Sequence, residues 1–180
     1  MTSTHVAALI TETPSTVRME PDGRPVDNQE LVPGMKRVET EVRVIYGDTD
    51  QMGIVYHANY LRFFERGRNE FIRASGISYA EIEGEGFILP LIESNVRYKV
   101  PALFDELLTI ETRVTRVTRL KVAFEYRVFK PATAELKAND ETGTRVLVAE
   151  GITIHGSLDR NMRPKRIPAG WDKRLMGFDS

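Results

Sequence analysis

The chain has 180 residues, a length that suits one domain with a tail better than two independent domains. Its 41% apolar and 28% charged content is that of an ordinary globular protein, and a net charge of -1 supplies no basic footprint for nucleic acid. The absence of cysteine excludes disulfides, thiolate metal sites and thiol nucleophiles, and it accords with a cytoplasmic location. No apolar run approaches the ~20 residues that a membrane span requires. The short stretch Val6-Ala-Ala-Leu-Ile10 has no basic residue before it, so no secretory signal is read there.

Residues 1–35 carry Pro14, Pro21, Pro25 and Pro33 and no sustained apolar period. Such a segment buries too little apolar surface to offset its ordering entropy, so it is expected to be a flexible extension. The folded domain is expected over residues 36–170, with 171–180 as a tail. Val42, Val44 and Tyr46 alternate with Glu41, Arg43 and Ile45, which predicts a strand. Tyr60, Phe63, Phe64, Gly67, Phe71 and Ala74 then recur every three or four residues, the period of an amphipathic helix. Asn59 stands at its expected N-cap and Gly76 at its stop. A second short helix is expected over Ser78 to Glu83.

From there the apolar period switches to two. Strands are expected from about Ile88 to Val100, Glu106 to Val117, Lys121 to Lys130 and Thr144 to Gly156, with 131–143 as a hairpin loop and an irregular ending from Asn161. The order of strand, long helix and four strands without intervening helices predicts an α+β fold with a largely antiparallel sheet. One helix cannot cover both faces of such a sheet, so a homodimer or homotetramer is expected.

The connection between the first strand and the long helix is richer in chemistry than a plain linker. It holds Asp48, Asp50, Gly53, Tyr56, His57 and Asn59 within a dozen residues. A carboxylate just before a helix meets the positive end of the helix dipole and its unpaired amides. Those amides suit the oxyanion that forms when a thioester carbonyl is attacked, where one donor is worth about 3–4 kcal/mol of barrier. Taken on spacing alone, both acids read equally as members of an Asx-type turn that caps amides.

The run Tyr46-Gly-Asp-Thr-Asp50-Gln-Met-Gly53-Ile-Val-Tyr-His57-Ala-Asn59-Tyr60, followed by Phe63-Phe64-Glu65-Arg66-Gly67-Arg68, resembles the 4-hydroxybenzoyl-CoA thioesterase family, in its Tyr-His branch. The resemblance covers roughly residues 38 to 168. It implies the hotdog fold, a five-stranded antiparallel sheet wrapped around one long central helix, and hydrolysis of a short-chain or aromatic acyl-CoA to free acid and coenzyme A. It further implies Asp50 as the catalytic carboxylate, with His57 and Tyr46 beside it and a backbone amide near His57 as oxyanion donor. Gly53, Val55, Tyr56, Asn59 and Glu65 fall on substrate-binding positions, and Asp48 remains a capping residue.

No cofactor or metal is implied; His5 and His155 have no clustered ligands beside them. Arg97, Lys99, Arg116, Arg119 and Lys121 are either candidates for the coenzyme A phosphates or solvated strand charges. Lys121 stands where many relatives carry Ser, which weakens any transfer of contacts along that strand. The alternatives are a hotdog acyl-thioester hydratase or dehydratase, for which no second Asp/His loop is found, and a non-catalytic acyl-CoA-binding protein.

Overall fold

The computed structural model describes residues 36–177, and before them a two-residue antiparallel pairing of Arg18–Met19 with Pro25–Val26. The remainder of the extension expected over 1–35 lies outside the described residues. The described elements run β1 (Val38–Arg43), α1 (Asn59–Ala74), α2 (Tyr79–Gly84), β2 (Phe87–Ile88), β3 (Leu91–Tyr98), β4 (Leu107–Val117), β5 (Lys121–Pro131), β6 (Arg145–Gly156), β7 (Leu158–Asp159) and α3 (Trp171–Met176). Five strands form one sheet in the order β1-β4-β5-β6-β3, every neighbouring pair antiparallel. This is the α+β arrangement with an antiparallel sheet that the element order predicts, and the hotdog fold that the resemblance implies, with α1 on one face of the sheet.

The helix docks through the stripe seen in the sequence. Tyr60, Phe63, Phe64, Gly67, Phe71 and Ile72 are buried, while Arg62, Glu65, Arg66 and Glu70 face water. Phe64 stacks on Tyr126 of β5 with ring centroids 4.3 Å apart and planes within 5° of parallel. Such pairs add about 1 kcal/mol beyond the area they bury. Gly67 sets the distance: a Cβ there would lie 2.8 Å from Ile110 Cγ2 and closer still to Thr112 Oγ1, both on β4. Any side chain at position 67 would hold helix and sheet apart.

The far face of the sheet is polar and ordered by charge. Glu39, Glu111, Arg127, Glu150 and Arg97 are consecutive register partners across all five strands. On the neighbouring rung Arg113 reaches Glu125 at 2.6 Å, and Lys99 reaches Glu150 at 2.9 Å.

Four sequence expectations are corrected. The first strand stops at Arg43 instead of reaching Tyr46, because the chain turns into a three-residue 3-10 helix, Tyr46–Asp48, closed by the Asp48 carboxylate on the Ile45 amide at 3.1 Å. Tyr46 is therefore 81% exposed, not a strand residue. The strand expected over 88–100 is divided around Pro90, which has no N–H to give a ladder; its carbonyl accepts from the Gly156 amide instead. Asn59 is the first helical residue, not the cap; Ala58 occupies the cap position without a side-chain bond. Finally, the ending read as irregular holds α3, whose Trp171 and Leu175 are buried against the core, Trp171 edge-on to Phe87 at 5.0 Å. Its six residues are too few to display a helical period.

Candidate active site

The connection from β1 to α1 folds into a closed turn. Thr49 and Val55 form an antiparallel bridge, and inside it the Asp50 amide donates to the Ile54 carbonyl at 3.0 Å and the Gly53 amide to the Asp50 carbonyl at 2.9 Å. Gly53 takes φ +76°, a conformation open to glycine and costly for residues with a Cβ. A second layer fastens this turn to the loop before β4. The Val55 amide donates to the Ala102 carbonyl at 2.8 Å, and Ile54 bridges Leu103. That loop is held in turn by Lys130, whose buried ammonium binds the Pro101 carbonyl at 2.8 Å and the Glu106 carboxylate at 2.9 Å.

The two acids of the turn differ in what they hold. Asp48 is only 3% exposed, and every polar group it carries is used. Its carboxylate accepts from the Ile45 amide and pairs with Arg62 at 3.5 Å, and its carbonyl accepts from the Tyr56 amide and the Asn59 side chain, both at 2.9 Å. It performs the capping role expected of it. Asp50 is half-buried, and one carboxylate oxygen accepts from the Met52 amide at 2.8 Å, an Asx turn. The other oxygen has no partner among the described residues, so Asp50 combines a fixed orientation with an unused lone-pair face.

The start of α1 completes the arrangement. The amides of Val55, Tyr56, Asn59, Tyr60 and Leu61 are all engaged by backbone carbonyls. Those of His57 and Ala58 have no partner among the described residues, and both residues are exposed. They lie at the positive end of a 16-residue helix, where an anionic oxygen is favoured. Two tyrosines brace this point. Tyr98, at the end of β3, donates its hydroxyl to the His57 carbonyl at 3.0 Å. Its ring meets Tyr60 edge-on at 5.2 Å, and Tyr60 in turn has a backbone hydrogen bond with Ala102. Burial pushes the phenols of Tyr60 and Tyr98 upward, so both stay protonated at neutral pH.

The residues picked out in the sequence fall into three groups. Tyr46, Asp50, Gly53, Tyr56 and His57 belong to the exposed or half-buried side of the turn, with Tyr56 and His57 rings 4.2 Å apart and Tyr46 edge-on to Phe104 at 6.1 Å. No side-chain hydrogen bond links Tyr46, Asp50 and His57 among the described residues. Val55 and Asn59 act as scaffold: Val55 is turned into the core, and the Asn59 amide is spent on Asp48. Glu65 stands exposed nearly two turns along the helix. Of the proposed phosphate contacts, Lys99 is taken by Glu150. Tyr98 and the 101–106 loop were missed in the sequence, because nothing local to them signals contact with a turn about 40 residues away. Ile45, Met52, Leu103 and Phe104 are exposed around the turn, giving it an apolar rim.

An α+β fold with a polar turn feeding the start of its one long helix defines a class, and comparison with known proteins places the chain within it. A family model described as the Thioesterase-like superfamily matches residues 44–175, and the chain belongs to that superfamily. The Haemophilus influenzae acyl-CoA thioesterase YbgC is 39% identical over 90 residues, which are 49% of this chain and 66% of that protein, so the match spans about two thirds of its length. Among solved structures, protein TT1821 from Thermus thermophilus superposes with TM-score 0.65 at 30% identity, covering 81% of this chain and 99% of that one. A DHNA-CoA thioesterase from Staphylococcus aureus superposes with TM-score 0.66 at 29% identity, covering 79% and 90%.

Proposed function

We propose that the protein hydrolyses acyl-CoA thioesters, with Asp50 as the catalytic carboxylate and the helix start as the oxyanion site. The observation that carries this reading is the pairing, in one closed turn, of a carboxylate with a free oxygen and two unpaired amides at a helix start. The relatives' acyl-CoA thioesterase activity supports it, and the Tyr-His form of the motif supports placement near the 4-hydroxybenzoyl-CoA branch.

The thioester carbonyl oxygen lies against the His57 and Ala58 amides. The free Asp50 oxygen either attacks the acyl carbon directly or takes a proton from a water that does so. In both routes a tetrahedral oxyanion forms and collapses, the C–S bond breaks, and coenzyme A leaves as a thiolate that is then protonated. Direct attack leaves an acyl–Asp50 anhydride that water opens; water activation returns the proton from Asp50 to the thiolate. Tyr46 and His57 flank the reacting group. The apolar rim of Ile45, Met52, Tyr56, Leu103 and Phe104 suits a short-chain or aromatic acyl group, and a second copy of the chain, as homodimer or homotetramer, closes the rim into a pocket.

Asp50→Asn keeps the Met52 hydrogen bond and removes the charge. It is expected to lower thiol release by at least about 10³-fold, as loss of the residue that drives the chemical step does, with an unchanged melting temperature. A thiol-release assay over aliphatic, branched and aromatic CoA esters reads this directly, and near-normal turnover by the variant sinks the assignment.

A further inference from the structure

We propose that Tyr98 is a positioning residue for the reaction, fixing and polarising the His57–Ala58 peptide so that the Ala58 amide acts as an oxyanion donor. This rests on the thioesterase reading of the site given above.

The first turn of α1 is tighter than an α-helix. The Tyr60 amide bonds back three residues to the His57 carbonyl at 3.4 Å, and the Leu61 amide three residues to Ala58 at 3.2 Å. The His57 carbonyl therefore has only one long backbone bond and lacks the i+4 partner that a helix supplies. Tyr98 provides the shorter bond, 3.0 Å from a different element, the end of strand β3. That carbonyl and the Ala58 N–H belong to one planar, conjugated peptide group. A hydrogen bond received at the oxygen shifts electron density away from the nitrogen and makes the N–H a stronger donor, the ordinary cooperativity of amide chains.

The phenol is well suited to that task. Tyr98 is braced edge-on by Tyr60, and Tyr60 is fastened to Ala102, the residue that also holds the Val55 amide. The hydroxyl thus addresses the peptide from a frame shared with the Asp50 turn, and carboxylate and amide keep one relative geometry. With no charge of its own, Tyr98 helps the developing oxyanion without neutralising Asp50. It acts through the peptide and touches no reacting atom.

The test is Tyr98→Phe, which deletes the hydroxyl and keeps the ring against Tyr60. Removing a whole oxyanion donor costs about 10²–10³-fold in kcat, so weakening one donor is expected to cost roughly 3- to 10-fold. KM, the Kd of a non-hydrolysable thioether CoA analogue and the melting temperature are expected to stay within about twofold and two degrees. A merely structural tyrosine would move the last three and leave kcat alone, and that outcome overturns the proposal. An NMR readout separates this inference from the identity of the reaction. The Ala58 amide nitrogen resonance is expected to shift in Tyr98→Phe, since it follows hydrogen bonding at the preceding carbonyl, and an unmoved resonance overturns the proposal whether or not any acyl-CoA is turned over. Asp50→Asn tests the thioesterase reading separately: an active Asp50→Asn defeats that reading, whereas an inactive Asp50→Asn beside a fully active Tyr98→Phe defeats this one.

Discussion

His155 stands at the end of a line of hydrogen bonds that crosses the core in one direction. Arg68, a donor only, reaches the Tyr126 hydroxyl; Tyr126 meets Thr153 at 2.9 Å, Thr153 meets His155 Nε2 at 3.0 Å, and His155 Nδ1 meets the Leu89 carbonyl at 2.9 Å. The Leu89 carbonyl can only accept, so Nδ1 carries a proton, and with Arg68 giving at the other end a neutral ring lets every hydroxyl donate onward in one direction. Protonating Nε2 would make the Thr153 hydroxyl accept from both neighbours and turn its own proton out of the line. Burial first, then the Arg68 charge, lower the pKa of His155 from 6.5 to about 4, the Leu89 carbonyl opposing them. Because the folded value lies below the unfolded one, the unfolded chain takes up the proton first, and stability falls as pH drops from 6.5 toward 4. At pH 4.5 the loss from this residue is on the order of 2 kcal/mol relative to pH 7. Urea denaturation at both pH values checks it: His155→Gln is expected to remove most of that pH dependence, and an equal slope in both proteins would contradict the account. No period or motif flagged this histidine, because a lone histidine in a strand acquires partners only through tertiary register. Asp50 could be told from Asp48 only by likeness to a family, since their division of labour rests on Arg62 and the Ile45 amide.

Among the elements, α1 was the most legible, because an amphipathic stripe over four turns is a strong local signal. Its docking distance was legible only in part. Gly67 reads in the sequence as a member of the apolar stripe, and what it packs against, the side chains of Ile110 and Thr112, lies over 40 residues downstream. Gly67→Ala weighs two opposed effects. Helix propensity alone favours alanine by about 1 kcal/mol, while forcing a methyl against two β-branched side chains on a paired strand costs about 1–3 kcal/mol. Both neighbours are stiff at χ1 and cannot swing aside. The net expectation is a loss of about 1 kcal/mol in the urea midpoint analysis; a gain would mean that the helix can lift without harm. The misread elements were short or interrupted ones: α3 has six residues, and the strand around Pro90 is broken where a ladder donor is missing.

At the scale of the whole molecule, the order of one helix and four later strands was enough to deduce an antiparallel sheet, but the position of each strand was not. The observed order leaves β3 at an edge with Leu91 and Ile92 exposed, Ile92 at 50%. An exposed apolar edge is a template for another chain. Light scattering is expected to give the mass of a dimer or tetramer, and Ile92→Asp to shift it toward the monomer; a monomeric wild type would overturn the proposed assembly and, with it, the closing of the pocket rim.

The charge rungs on the outer face have a consequence for how the sheet assembles. The apolar inner face cannot tell the correct pairing of β4 with β5 from one displaced by two residues, because a two-residue displacement returns every side chain to the same face. The outer face can. In the native register Glu111 meets Arg127 and Arg113 meets Glu125. Displacement by two in one direction sets Glu111 against Glu125, and in the other sets Arg113 against Arg127, like charges directly opposed. The salt bridges of this face thus act as a key against the misaligned sheets that oiliness alone would accept.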